Sequence, residues 1–266
     1  MDLAFKSIIN YVSKNAGVNL NGYRENYLKR RIEFRMKAVG VKNYVEYFRI
    51  LRKDRDEIYK LLDAITINVT EFMRDKTPFY HFMRQILPNI AERKRKIGSK
   101  MIRIWSAGCS CGEEPYSIAI CIYESLGNDW SPIIYATDID EECLKRAEEG
   151  VYSVHQLKNL SEEIIKKYFN KMNNKLVIKP FLKKCIKFKK HDLITDKPVS
   201  RFFDVIFCRN VMIYFTKEQK IKVINDFYHA LVKGGYLIIG KSETIPNEFK
   251  TKFMAIDLKE KIYMKI

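Results

Sequence analysis

The chain has 266 residues, of which 47% are hydrophobic and 30% charged, with a formal net charge of +17 at pH 7. That length and apolar share suffice for one large or two small packed domains and exclude disordered and fibrous classes. No apolar signal core opens the sequence and no run reaches the roughly 18 apolar residues of a membrane span, which predicts a cytoplasmic protein.

The six cysteines, Cys109, Cys111, Cys121, Cys143, Cys185 and Cys208, contain no C-x-x-C pair and read as reduced thiols. His81, His155, His191 and His229 stand at no metal-ligand spacing, so no metal centre is expected. Residues 1–100 carry 22 Lys+Arg against 11 Asp+Glu, so +11 of the charge lies there. An acidic partner is implied, and charge alone leaves nucleic acid, an anionic membrane and an acidic protein surface open.

Apolar spacing predicts a first helix over residues 2–15 and a second from about Tyr23 to Val39, with Leu28, Ile32, Met36 and Val39 inward and Gly40 as its stop. Arg24, Arg31 and Arg35 share one face of the second helix, a candidate docking face for an acidic helix. Two further helices carry Tyr44, Tyr47, Phe48 and Leu51, then Ile58, Leu61, Leu62 and Ile65. Residues 67–75 break the helical pattern with alternating β-branched and polar side chains and read as a cap and turn. Thr77-Pro78 opens a helix with Phe79, Phe82, Met83, Ile86, Leu87 and Ile90 inward, and its basic end, Arg93 to Lys100, reads as a solvated connector.

From Met101 the pattern turns to strand, helix, strand, helix, predicting a parallel sheet with helices on both faces. Strand Ile102 to Ser106 runs into the turn Ala107-Gly108-Cys109-Ser110-Cys111-Gly112 and a helix of about Glu114 to Ser125. The small turn residues let backbone approach a ligand closely. Glu113 and Glu114 in the first helical turn argue against a phosphate and for a neutral or cationic ligand. After strand Ile133 to Thr137 comes Asp138, placed to bond ribose hydroxyls, and Asp140, read as a helix cap. Residues 151–184 interrupt the alternation with helix Ser161 to Asn170 and a hairpin about Asn173-Asn174. Strand Cys185 to Lys189 leads to Asp192 and Leu193. The buried strand Phe203-Asp204-Val205-Ile206-Phe207-Cys208 ends in Arg209-Asn210-Val211-Met212-Ile213-Tyr214-Phe215. A helix through Leu231, strand Tyr236 to Gly240 and a hairpin of Phe253 to Leu258 against Lys261 to Ile266 complete the chain.

Four of these stretches carry a resemblance that covers nearly the whole chain. Arg103-Ile104-Trp105-Ser106-Ala107-Gly108-Cys109-Ser110 with Gly112-Glu113-Glu114-Pro115-Tyr116-Ser117 resembles motif I of the class I methyltransferases that use S-adenosylmethionine (SAM). More narrowly it resembles the chemotaxis receptor glutamate methyltransferases, the CheR family, as does Phe203 to Phe215. Ile67 to Asp75 is similar to the CheR-family segment linking a helical to a catalytic domain, and the insertion at 151–184 is the fourth stretch. The resemblance implies an α/β class I, Rossmann-like methyltransferase sheet with an N-terminal all-helical domain and a small inserted antiparallel β-subdomain. The expected domains are a basic helical domain at 1–76, a linker helix at 77–100 and a catalytic domain at 101–266 with the insertion at about 151–184.

It implies SAM as cofactor, S-adenosylhomocysteine as product, and chemoreceptor glutamates as acceptors. Asn68, Thr70, Arg74, Gly108, Glu114, Asp138, Asp192, Leu193, Cys208, Arg209 and Asn210 are its cofactor contacts. Arg74, Arg209 and Tyr214 surround the reacting centre. The position of Asp192 commonly holds Asn in the family, and aspartate cannot donate to a ring nitrogen of adenine. Receptor methylation helices are the expected partner of Arg24, Arg31 and Arg35. The inserted turn lacks the glycine-rich loop of members that grip a receptor tether peptide. Nucleic acid as acceptor is disfavoured because no Asn/Asp-Pro-Pro-Tyr motif is present, and a non-enzymatic SAM-sensing module because the set Arg74, Asp138, Arg209 and Tyr214 is intact.

Overall fold

The computed structural model describes residues 3–66 and 68–266, so Asp2 of the predicted first helix and Ile67 of the predicted 67–75 segment lie outside the described residues. The chain forms two compact units, Met1–Asn68 with Tyr214–Lys222, and Val69–Ile213 with Val223–Ile266. The helix expected as a linker thus belongs to the second unit.

In the first unit, α1 (Leu3–Ala16), α2 (Glu25–Ala38), α3 (Tyr44–Lys53) and α4 (Arg55–Thr66) bury the stripes that their spacing predicts, among them Ile8, Val12, Leu28, Ile32, Tyr47, Leu51, Leu61 and Ile65. Asn43 caps α3 by accepting from Glu46 N, and Gly40 ends α2 at a φ of +77°. Of the predicted cationic face of α2, Arg35 is taken up inside the first unit. Arg35 gives Nε and Nη2 to the two oxygens of Glu57 at 2.9 and 2.7 Å, while Tyr47 OH donates to Glu57 Oε1 at 2.7 Å. Glu57 is 1% exposed, so a carboxylate buried in the helical core needs this cation, and Arg35 is committed to packing. Arg31 lies over the Tyr27 ring at 5.3 Å, and Arg24 Nε donates to Phe215 O at 3.2 Å. Arg24 stays exposed at the start of α2, and Arg30 and Lys37 are exposed along it, flanking Phe34 at 58% exposure.

The second unit opens with α5 (Thr77–His81), a π-helical turn at Phe82–Ile86, and α6 (Leu87–Lys96). Pro88 explains the wide turn, because it has no N–H for the carbonyl one turn back. The basic run at the end of α6 is only in part the solvated connector expected, for Arg95 to Gly98 and Lys100 are exposed while its first two cations are tied down. Arg93 Nη1 donates to Gly234 O at 2.7 Å, Lys94 pairs with buried Asp204 at 2.9 Å, and Arg95 covers the Trp130 ring.

The sheet elements follow as β1 (Met101–Ala107), α7 (Glu113–Leu126), β2 (Ser131–Asp138), α8 (Glu141–Glu149), β3 (Val151–Ser153), α9 (Glu162–Tyr168), β4 (Phe169–Met172), β5 (Lys175–Ile178), α10 (Pro180–Lys184), β6 (Ile186–Lys190), β7 (Phe203–Cys208), α11 (Lys217–Ala230), β8 (Leu231–Ile239), β9 (Phe253–Asp257) and β10 (Ile262–Lys265). The main sheet runs β6-β2-β1-β7-β8-β10-β9, with β6 to β8 parallel and β10 antiparallel to both its neighbours. The chain builds outward from β1 to β6 and then returns to lay β7 on the other side of β1. That reversal opens a crevice off the carboxyl ends of β1 and β7. β6 ends the sheet and carries Lys187 and Lys189 exposed, charges that discourage another strand from pairing there.

The expected insertion forms its own antiparallel sheet, β3-β5-β4, with a two-residue turn in which Asn173 takes a φ of +53°. Two boundaries differ from the spacing: the helix expected to reach Asn170 ends at Tyr168, with Phe169 and Asn170 in β4, and the end of α11 comes early. Leu231, periodic with the preceding helix, starts β8, which pairs Leu231 with Phe203 before an irregular register at Gly234-Gly235.

Candidate active site

The motif at β1 makes a turn that only glycine satisfies at two points. Gly108 and Cys109 both donate their N–H to Thr137 O, at 2.8 and 2.9 Å, so the turn wraps the end of β2. Gly108 has a φ of +83°, and a Cβ there would collide with Val211 Cγ2. Gly112, the residue before α7, has a φ of +95°, and a Cβ would come within 2.7 Å of Ala147 Cβ. Close packing against Val211 and Ala147, together with the left-handed φ values, therefore demands glycine at both points.

Acids ring this turn. Asp138 Oδ2 accepts from Ser110 N at 2.7 Å and Oδ1 from Asp140 N at 3.0 Å. Burial pushes its carboxyl pKa up, partly offset by those backbone donors. Asp140 caps α8 as expected, accepting from Glu142 N and Cys143 N at 3.0 Å. Glu114 Oε1 accepts from Ser106 Oγ at 2.7 Å, and its pKa is raised by burial against the lowering pull of Arg209. Glu113 is wholly buried, accepts from Gln156 Nε2 at 2.8 Å and from the Thr70 side chain, and has one oxygen without a partner. Its pKa is also raised by burial.

Arg209 sits at the end of β7 with 2% of its side chain exposed. Nη2 donates to Asp75 Oδ2 at 3.0 Å and to Arg74 O at 2.8 Å, Nη1 meets Glu114 Oε2 at 3.4 Å, and the guanidinium covers the Phe79 ring at 5.3 Å. Two carboxylates of its own chain already hold this arginine, so it is poorly placed to take an acceptor carboxylate as a third. The half-buried Arg74 gives Nη1 to Val69 O at 2.6 Å.

Asp192 accepts from Ile194 N at 2.8 Å, and the adjoining His191 N donates to Asp138 O at 2.8 Å, which ties the end of β6 to that of β2. Cys208 is fully buried, so only its backbone can face a ligand, and Leu193 is 8% exposed. Thr70, Arg74, Gly108, Glu114, Asp138, Asp192, Leu193, Cys208, Arg209 and Asn210 all belong to the second unit. Asn68 and Tyr214 belong to the first, where Asn68 Nδ2 donates to Thr66 Oγ1 at 3.4 Å and Tyr214 stacks on Tyr27 at 4.5 Å between centroids. Burial pushes the Tyr27 hydroxyl pKa up to about 12.

Seven non-glycine residues take positive φ among the described residues, and Met73, Asp75, Ser110 and Asn210, four of them, belong to the segments just described. Left-handed backbone at non-glycine residues often clusters at functional sites, where the surrounding structure holds it in place. The turn also corrects the expectation for the thiols: Cys111 and Cys143 are joined as a disulfide, with Cα atoms 4.4 Å apart, while the other four cysteines are free. Spacing alone does not single out Asp75, Gln156 or Glu243. Their only sequence signals are the adjacency of Asp75 to Arg74 and the place of Glu243 three residues after Gly240, which follows the last parallel strand. A cavity of about 400 Å³ lined by Met73, Phe79, Met83, Ile120 and Ile164 contains none of the predicted site residues.

Comparison with known proteins completes the picture. Residues 68–262 match the family described as CheR methyltransferase, SAM binding domain, and residues 3–66 match the CheR methyltransferase all-alpha domain. A chemotaxis protein methyltransferase of Borreliella burgdorferi is 39% identical over 245 residues, covering 90% of this chain and 87% of that protein. Proteins of the same description from Listeria innocua, at 38% (89% of this chain, 88% of theirs), and Salmonella typhimurium, at 33% (92% and 85%), are similar over comparable lengths.

Proposed function

The chain belongs to the CheR methyltransferase family and is a SAM-dependent methyltransferase of chemotaxis, and from that premise we propose that it esterifies glutamate side chains of chemoreceptors. The observation that carries the reading is the acid-ringed glycine turn, a crevice suited to a cationic ligand and hostile to a phosphate. The residues fit the cofactor: Asp138 offers acceptors for ribose hydroxyls, and Glu114 offers an anion for an α-ammonium.

When bound, SAM supplies an electrophilic methyl carbon on a sulfonium. A glutamate acceptor has an ordinary pKa of about 4.3, is ionised at neutral pH and needs no general base. The protein's task is then orientation and exclusion of water, worth up to several kcal/mol. We assign the acceptor carboxylate to Arg74. Arg209 acts behind it, fixing the Arg74 carbonyl, Asp75 and Glu114. Thr70, Asp192, Leu193, Asn210 and the backbone of Cys208 are proposed to complete the cofactor contacts. Asn68 and Tyr214 keep, by family resemblance alone, the roles expected for them.

Labelled methyl transferred to a receptor cytoplasmic domain is expected to leave as methanol in mild base, because a glutamyl methyl ester hydrolyses where a methylated nitrogen does not. Base-stable label would exclude carboxylate as the acceptor.

We place the protein in the cytoplasm, with the receptor's acidic methylation helices as partner. No helix among the described residues is long and apolar enough to cross a membrane. The docking face we propose is the exposed one of α2, Arg30, Phe34 and Lys37, in place of Arg31 and Arg35. Reversing Arg30 and Lys37 to Glu is expected to slow receptor methylation several-fold at low salt and leave product affinity unchanged, with the difference shrinking as salt rises. Equal rates in stopped assays at low salt would free this face of that role.

A further inference from the structure

Glu243 is 2% exposed, and its carboxylate is in no ion pair among the described residues. It is held entirely by backbone: Oε2 accepts from Gly240 N at 2.6 Å and from Asn210 N at 3.0 Å, and Oε1 accepts from Val211 N at 3.2 Å. Met212 N adds a further bond. A buried side chain thus reaches from the turn after β8 across to the turn after β7 and gathers three successive amides, those of residues 210, 211 and 212. An anion is the acceptor suited to so many converging donors, and without it those amides would be buried unpaired.

The gathered turn is the one that matters for the crevice. Asn210 is held at a φ of +62°, a conformation an isolated asparagine adopts at a cost. Val211, bonded through its N–H to Glu243, presents the methyl group that forbids a Cβ at Gly108. Arg209, the residue before them, clamps Glu114 and Asp75. Gly240 is confined by the same arrangement, since a Cβ there would stand 2.8 Å from both Asn210 N and Glu243 Oε2.

We infer that Glu243 is a positioning residue for methyl transfer, whose carboxylate sets the 209–212 turn and through it the placement of Arg209 and of the Gly108 turn. It touches no reacting atom in this scheme. The inference rests on the reading of the crevice as the SAM site, and two of its measurements do not require turnover.

The variant is Glu243→Gln, with Ser242→Ala, an exposed neighbour, as control. Glutamine keeps the shape but offers one acceptor oxygen and turns N–H groups toward amides that are themselves donors. Amide hydrogen exchange at residues 210–212 in the ligand-free protein is expected to quicken roughly ten- to hundred-fold, and S-adenosylhomocysteine binding by calorimetry to weaken by about the same factor. In receptor assays kcat and the affinity for cofactor should fall while KM for the receptor holds, a split that general loss of stability does not produce. A cycle with Arg209→Lys should be non-additive, because both changes act on one turn. Unchanged exchange and binding in a folded Glu243→Gln protein overturn the inference. So does an additive cycle. If wild type binds the product but methylates no receptor, the functional reading fails while exchange and binding still decide the role of Glu243. Should glutamine prevent folding, Glu243→Asp takes its place. It keeps the charge but is one methylene shorter, and weakened product binding supports the inference while wild-type binding ends it.

Discussion

Replacing Arg209 by alanine should lower methyl transfer by roughly two orders of magnitude and cost about 3 kcal/mol of stability. Both effects have one cause. The guanidinium is 2% exposed and neutralises Glu114 and Asp75 while bonding the Arg74 carbonyl. Without it Glu114, whose pKa burial already raises, loses its counter-charge, and the strained segment at Met73 and Asp75 loses the clamp across its end. Arg74, the proposed anchor of the acceptor, then shifts. Arg209→Lys should restore part of the stability and little of the rate, because a single ammonium cannot bond Asp75, Glu114 and a carbonyl in one plane. Urea unfolding and initial rates of labelled methyl transfer measure the two quantities separately. A Lys variant as fast as wild type would show that Arg209 supplies charge and not geometry.

Much of this architecture is legible in the sequence because its signals are local. The glycine turn after β1, the acid after β2 and the alternation of strand and helix are short patterns with direct backbone consequences. Asp138, Asp140 and Gly108 accordingly stand where the spacing puts them. Signals that depend on a distant partner are not legible in that way. Arg35 shares a helical face with Arg31, yet its role is set by Glu57 on another helix, and no periodicity in α2 reveals that. Lys94 looks like one charge in a basic run until Asp204, on β7, takes it. The same holds for Arg209: a sequence motif marks the residue, while only the fold supplies Asp75 and Glu114 as its partners.

Asp138→Asn should weaken binding of S-adenosylhomocysteine by about 1.5–3 kcal/mol, some ten- to hundred-fold, because a charged acceptor is exchanged for a neutral one and one of its two backbone donors is left facing an amide. The pH dependence makes the test sharper. Burial raises the Asp138 pKa, so the native state holds this proton more tightly than the unfolded chain does. Its ionisation therefore costs stability as pH rises from the ordinary aspartate value to the raised one. Ligand affinity moves the other way, since only the ionised group accepts two hydrogen bonds from a ribose. Across that window the stability of wild type relative to Asp138→Asn should fall with rising pH while its relative affinity climbs. Taking the difference from the variant removes the titration of Glu113 and Glu114, whose pKa values burial also raises. Calorimetry and urea unfolding at matched pH values give both curves. If the affinity difference is flat through the window, the ribose contact does not depend on an ionised Asp138, and the assignment of that residue fails.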